Sequence, residues 1–398
     1  MAPLAPGEIF VFGSNLEGIH AGGAARTALK FFGAIFGQGV GLQGSSYAIP
    51  TMQGGIDTIK PYVDEFIAFA DSHPELRFLV TPIGCGIAGF KSTDIAPLFG
   101  KSLDMENVIL PESFVQVHLG MEPTETREER RARLIPVFQD TMDMIQESNI
   151  LTESVEHSKL HTRFYPENWQ PTRIKNPRKQ MRVSVTGNRT FQAARIVARR
   201  NPGKRIAVLN FASATGQGGG VTRGSAAQEE SLCRCSTLYP VLKSDQLWKK
   251  YYSVNRNRSD SRYTDACIYT PYINVIKSDE DHPERLPESE WLRVDVITCA
   301  APNFRHGAPA DEEVEKIHIS RGRRILDVAL DNNADCLVLG AYGCGAFRNN
   351  PAIVSRVYAQ LMEEYRGVFD EIEFAVFHCG KEVENFNAFK EAMSQWES

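Results

Sequence analysis

The chain has 398 residues, 42% of them hydrophobic and 23% charged, with a net charge of -5. That balance excludes a disordered or fibrous protein and supplies apolar material for two ordinary cores. No stretch approaches the ~18 consecutive apolar residues of a membrane span, and an acidic chain gives no electrostatic case for reading nucleic acid.

In chain order, the first predicted element is the strand IFVFGSN at 9–15, with Gly22 and Gly23 close behind it. A second buried-type strand opens FLVTPIGCGIAGF at 78–90 and runs into Gly-Cys-Gly. A charged helical pattern, TREERRARLIPVFQDTMDMIQESN, follows at 126–149, with Thr124 or Thr126 placed to cap it. A passage rich in Pro and Lys leads on to about 182. Strands are then predicted near 183–186, 206–211, 267–275, 293–299, 335–340 and 371–378, with helices at 189–200, 312–332, 350–366 and 383–396. The basic run Arg195, Arg199, Arg200, Lys204 and Arg205 reads as a solvated helix face leading into a strand. The opening MAPLAPGEIF lacks the basic-then-apolar layout of a secretory signal, so an intracellular protein, cytoplasmic or nuclear, is expected. The eight cysteines are scattered. Cys233 and Cys235 sit close, but with no second pair or histidine cluster at zinc spacing they read as reduced, buried thiols.

The layout occurs twice. IAVLNFA at 206–212 with glycines at 218–220 repeats the build of 9–15 with its Gly-Gly, and CLVLGAYGCGAF at 336–347 matches 78–90. Features recurring in one order point to an internal repeat. Each pair is a strand entering a glycine-rich loop and then a helix, the way α/β folds place ligands at strand carboxyl ends. Two α/β domains in tandem are therefore expected, 1–120 and 121–398. The second copy is longer: 75 positions separate Ile9 from Gly84, whereas 137 separate Ile206 from Gly343. The polar stretches KKYYSVNRNRSDSRYTD and KSDEDHPERLPESEW are the natural insert, a lid or a specificity wall.

Within GQGGGVTRGSAAQEES at 216–231, three glycines let main-chain N–H groups approach an anion, and a helix start behind them favours it further. Two glutamates in such a cradle repel a phosphate, unless the substrate carries a diphosphate and, some ångströms away, a bond that needs an acid. Adjacent residues at a helix start diverge by about 100°, so Glu229 and Glu230 have different tasks. Mutual repulsion would raise the pKa of one of them. The blander reading is that both merely complement the helix dipole. Asn210 and Asn303 each end a strand, where an amide binds a ligand or satisfies loop backbone. Cys344, with no histidine near it in sequence, reads as a small packing residue rather than a nucleophile. No carboxylate-histidine cluster asks for a metal, so none is expected, nor any cofactor.

Gly-Gly-Gly, seven residues, then Gln-Glu-Glu resembles the signature of bacterial-type poly(ADP-ribose) glycohydrolases, which have a macrodomain fold. VLNFASATGQGGG, TCAAPNF at 298–304 and LGAYGCGAFRNN at 339–350 resemble that family's other segments in order, over roughly 127–398. One departure is Gly216-Gln217, where a proline would be expected. The N-terminal copy resembles a more distant macrodomain, through GSN, HAGGAARTALKFFGA, SYAIPT and GCGIAGF. It has no Gln-Glu-Glu and no Glu or Asp across 24–49, so a binding or degenerate module is the natural inference. The resemblance implies two tandem macrodomain-like three-layer α/β/α domains with central mixed sheets. It implies hydrolysis of the ribose–ribose bond of poly(ADP-ribose), with Glu230 as acid and then base and Glu229 holding the ribose hydroxyls. Gly218, Gly219, Gly220, Val221 and Gln228 would hold substrate from one side, Gly343, Cys344, Gly345 and Ala346 from the other, with Phe347 packed on the distal ribose and Asn210 and Asn303 completing the set. Implied partners are poly(ADP-ribose), ADP-ribosylated proteins and ADP-ribose as product, with no membrane. A non-catalytic ADP-ribose reader and a hydrolase of single ADP-ribose groups are the competing readings.

Overall fold

The computed structural model describes residues 4–121, 125–172, 177, 180–378 and 383–396. The chain divides into two compact units, Met1–Leu134 and Ile135–Ser398.

In the first unit, β1 (Glu8–Ser14) sends alternate side chains to opposite faces, as strand geometry requires. Ile9 and Val11 pack with the helix Ile56–Ser72, while Phe10 and Phe12 pack with the helix Gly23–Phe31. The remaining strands are β2 (Gly41–Gln43), β3 (Ser46–Pro50), β4 (Arg77–Val80) and β5 (Val108–Ile109), in the order β2-β3-β1-β4-β5. Neighbours are parallel except β2 with β3.

The second unit holds seven strands: β6 (Arg163–Tyr165), β7 (Arg182–Thr186), β8 (Ile206–Phe211), β9 (Cys267–Val275), β10 (Leu292–Cys299), β11 (Cys336–Leu339) and β12 (Glu371–Ala375). Their order is β6-β9-β10-β8-β11-β12-β7. The five from β10 to β7 run parallel, and β9 and β6 close one edge antiparallel. Alternation again divides the core. Ala207, Leu209, Leu337 and Leu339 face the helices Asp311–Asp331 and Pro351–Glu364. Ile206, Val208, Cys336 and Val338 face the layer of Thr190–Arg200 and Gln228–Cys235. Both units are thus helices on two faces of a mixed sheet, and β8, flanked on each side by a parallel neighbour, delivers its carboxyl end to the middle of the upper rim.

The expected helix over 126–149 is Arg127–Glu147, and a second helix, Asn149–His161, follows where a passage rich in Pro and Lys was expected. Ser148 separates them because its side chain accepts from Leu151 N–H and caps the second. Thr126 caps the first, exchanging bonds with Glu129 in both directions, 2.8 Å from its N–H and 3.2 Å to its Oγ; Thr124 lies outside the described residues. The insert is built into the second unit. Tyr251 and Tyr252 sit in its core, and Lys277, 1% exposed, bonds Asp140 at 2.7 Å.

Candidate active site

Three adjacent side chains at the start of the helix Gln228–Cys235 leave in three directions. Gln228 clasps the end of β8: its Oε1 accepts from Phe211 N–H at 2.9 Å, and its Nε2 donates to Leu209 O at 2.7 Å and Thr190 Oγ at 3.1 Å. Glu229 turns beneath the rim, where its carboxyl accepts from Ser213 N–H at 2.7 Å and Asn210 Nδ2 at 3.3 Å. Glu230 reaches the glycine loop and accepts from Gly220 N–H at 2.8 Å through Oε1, while Oε2 has no hydrogen-bond partner among the described residues.

The loop needs its glycines for space. Gly219 has φ +60, and a Cβ there would lie 3.0 Å from both Glu229 Oε2 and the Glu230 carboxyl carbon. Gln217, at the place where a proline was expected, fixes the approach differently, by donating to Leu242 O at 2.6 Å and Ser244 O at 2.9 Å. Ser213 Oγ accepts from Gly216 N–H at 3.1 Å and shapes the bend between.

Burial pushes the Glu229 carboxyl up to about 8, and the neighbouring Glu230 charge adds to the rise. Glu229 is therefore largely protonated near neutrality.

The facing wall is the loop after β11. Gly343 has φ +80, and a Cβ would lie 2.6 Å from Asn349 Nδ2 and 2.7 Å from Ala301. Asn349 staples this loop to the one after β10 by donating to Gly343 O at 3.0 Å and Pro302 O at 2.8 Å, and its Oδ1 meets His318 Nε2 at 2.8 Å. Burial holds His318 down at about 4, so the ring is neutral. Fully buried Arg321, on the same helix, donates to Asp265 at 2.8 Å, to Ala300 O at 2.7 Å and to Arg262 O at 3.0 Å. Phe347 at the loop tip has its ring 6.3 Å from that of Tyr263, itself held at φ +61.

Glutamates, glycine loop and facing wall enclose a cavity of about 970 Å³ at the carboxyl ends of the parallel strands. A family model described as the catalytic domain of microbial-type poly(ADP-ribose) glycohydrolase matches residues 140–278, including the glycine loop and both glutamates. A poly(ADP-ribose) glycohydrolase from Thermomonospora curvata, bound to the inhibitor ADP-HPD, is similar at 30% identity and a TM-score of 0.57, covering 67% of this chain and 99% of that one. One from Deinococcus radiodurans, in complex with ADP-ribose, is similar at 34% identity and a TM-score of 0.54, covering 61% and 97%. This chain belongs to the bacterial-type poly(ADP-ribose) glycohydrolase family. No curated protein sequence matches it.

Within this glycohydrolase fold, Glu229, Glu230, Gly219, Gly220, Gln228, Asn303, Gly343, Gly345, Ala346 and Phe347 line the cavity together. Asn210, Gly218, Val221 and Cys344 lie behind that lining. Asn210 is fully buried, and its Nδ2 serves Glu229 and Thr298. Gly218, at φ +67, leaves no room for a Cβ beside Tyr239. Burial pushes the Cys344 thiol up to about 12, so it is no nucleophile at neutral pH. The far end of the cavity was not legible in the motifs. There the Arg189 guanidinium lies 3.7 Å over the Phe377 ring and 2.7 Å from Asp281. Phe377 follows the carboxyl end of β12, so the rule that located the other loops, applied to this strand too, would have found it. Among the described residues no group of three or more His, Cys, Asp or Glu is arranged to hold a metal ion, and no helix is long and apolar enough to cross a membrane.

Proposed function

We propose that the chain hydrolyses the ribose–ribose O-glycosidic bond of poly(ADP-ribose) from the free end and releases ADP-ribose. The observation that carries this reading is the division between the two carboxyls, one buried with both oxygens hydrogen-bonded, the other held by a single N–H with one oxygen left unpaired. Glu230, protonated from solvent on its unpaired oxygen before substrate binds, gives that proton to the departing 2′-oxygen as the bond to the anomeric carbon breaks. Water then attacks that carbon and returns a proton to Glu230, the acid-then-base sequence of glycoside hydrolysis. Glu229, protonated, orients a ribose hydroxyl by hydrogen bonding. Main-chain N–H groups of the glycine loop and of residues 343–346 take the diphosphate, and Phe347 packs on the distal ribose. The similar Deinococcus radiodurans enzyme was solved with ADP-ribose bound, which supports the same ligand here.

ADP-ribosylated proteins enter as carriers of the polymer. The first unit retains the loop at 84–90, but a Cβ placed on Gly86 would lie 3.5 Å from the Glu128 Cβ, and Ser92 N–H donates to Glu129 at 2.9 Å. Acidic residues over that loop oppose an anion, and we read the first unit as a degenerate copy. Chromatography of the products from purified poly(ADP-ribose) tests the function. Monomeric ADP-ribose accumulating from the earliest times is expected, whereas intact polymer or only intermediate-length fragments would refute exo hydrolysis.

A further inference from the structure

Four arginines line the cavity, and one of them is neutralised: Arg189 pairs with Asp281 at 2.7 Å. The other three, Arg223, Arg256 and Arg305, pair with no carboxylate among the described residues, in a chain whose net charge is -5. Their places are specific. The Arg223 guanidinium lies 3.5 Å from where a Cβ would stand on Gly220, the residue whose N–H holds Glu230. Across the gap, Arg305 donates through Nε to Ala346 O and lies 5.6 Å from the centre of the Phe347 ring. Arg256 ends the inserted helical turns, with its guanidinium 5.8 Å from the centre of the Trp248 ring, and it too lines the cavity. Arg223 and Arg305 thus flank the opening between Glu230 and Phe347, and Arg256 adds a third cation to the same cavity lining.

The chemistry of the polymer puts an anion there. On the reading above, the oxygen protonated by Glu230 is the 2′-oxygen of the next unit, and the same ribose carries that unit's diphosphate on its 5′-carbon. A second diphosphate therefore lies one ribose beyond the scissile bond, out of reach of main-chain groups already holding the first. We propose that Arg223, Arg256 and Arg305 form a second anion subsite, which binds the diphosphate of the ADP-ribose unit on the departing side. Planar guanidinium groups match phosphate oxygens in pairs, and an exposed cationic edge acts most strongly at low salt. The subsite makes the enzyme prefer chains of two or more units to a single ADP-ribose on a protein.

The proposal rests on the glycohydrolase reading, so wild-type hydrolysis of poly(ADP-ribose) is measured first; an enzyme that cleaves no polymer overturns that reading, and the subsite with it. With wild type active, steady-state kinetics on polymer compare the Arg223→Gln/Arg256→Gln pair with the Arg223→Lys/Arg256→Lys pair in the full chain. Arg305 is left in place because its Nε supports the Ala346 carbonyl. The glutamine pair is expected to raise KM for polymer at least about tenfold, the scale of lost charge-assisted contacts, and to flatten the rise of KM with NaCl. The lysine pair should recover most of the loss. The Kd for free ADP-ribose, which lacks a second diphosphate, should stay within about twofold of wild type. An unchanged KM, a loss shared equally by the lysine pair, or a parallel rise in the ADP-ribose Kd would each overturn the subsite.

Discussion

Glu229 and Glu230 do different things because Gln228 fixes the turn from which both depart. Glu229 is 3% exposed, with both oxygens engaged, and its carboxyl is raised to about 8 by burial. The consequence for stability has a definite sign. Below about 4.5, the ordinary value, folded and unfolded chains both hold the proton. Between there and about 8 the unfolded chain releases a proton that the folded chain retains, so stability falls through this window and levels off above it. The loss is of the order of a few kcal/mol. Glu229→Gln cannot ionise, so its melting temperature should gain on wild type by at least about 4 °C between about pH 5 and about pH 9; parallel melting curves would contradict the assignment. The Gln-Glu-Glu run was readable because it joins acids to a bare backbone. That Asn210 serves Glu229, and that Gln228 grips β8, was not readable, because a side chain's direction at a strand end is settled by the helix packed over it.

At the scale of elements, the active-site loops are short segments held by buried polar groups on neighbouring helices. Arg321 is the clearest: one fully buried guanidinium joins Asp265, the carbonyl that follows β10 and the carbonyl beside Tyr263. Replacing it with methionine keeps the volume but leaves Asp265 without its cation, and the buried Ala300 carbonyl and the Arg262 carbonyl without this donor. Arg321→Met should cost about 3–5 kcal/mol, read as a lower urea midpoint, with KM for polymer rising because Tyr263 and Asn303 lose their support. An unchanged midpoint would show that the loops are held elsewhere. In the second unit the parallel strands were legible, β8 and β11 as apolar runs and β7 and β12 by alternation, whereas β3 and β5 of the first unit were not predicted. β6, with three residues, is too short for a period to declare itself, and the helix Asn149–His161 went unread because its polar residues outnumber its apolar ones.

For the whole molecule, two units each carry helices on both faces of a mixed sheet, with the paired acids in the second alone. The division falls inside the helix Arg127–Glu147, after Leu134. A chain beginning at residue 121 keeps that helix with its Thr126 cap, all seven strands and both cavity walls. Once a cooperative melt confirms that it folds, it should hold kcat on short polymer within about threefold of the full chain; a folded but inactive truncation would mean that the first unit takes part in chemistry. The recurrence of both glycine loops in order pointed to a tandem layout, whereas the acidic turn over the first loop depends on contacts between residues some forty positions apart. The central claim is that Glu230 supplies the proton, and kcat of Glu230→Gln on poly(ADP-ribose), measured beside its Kd for ADP-ribose, tests it most directly. A kcat at least about 100-fold below wild type with the Kd essentially kept is expected; a kcat within about tenfold of wild type would contradict it.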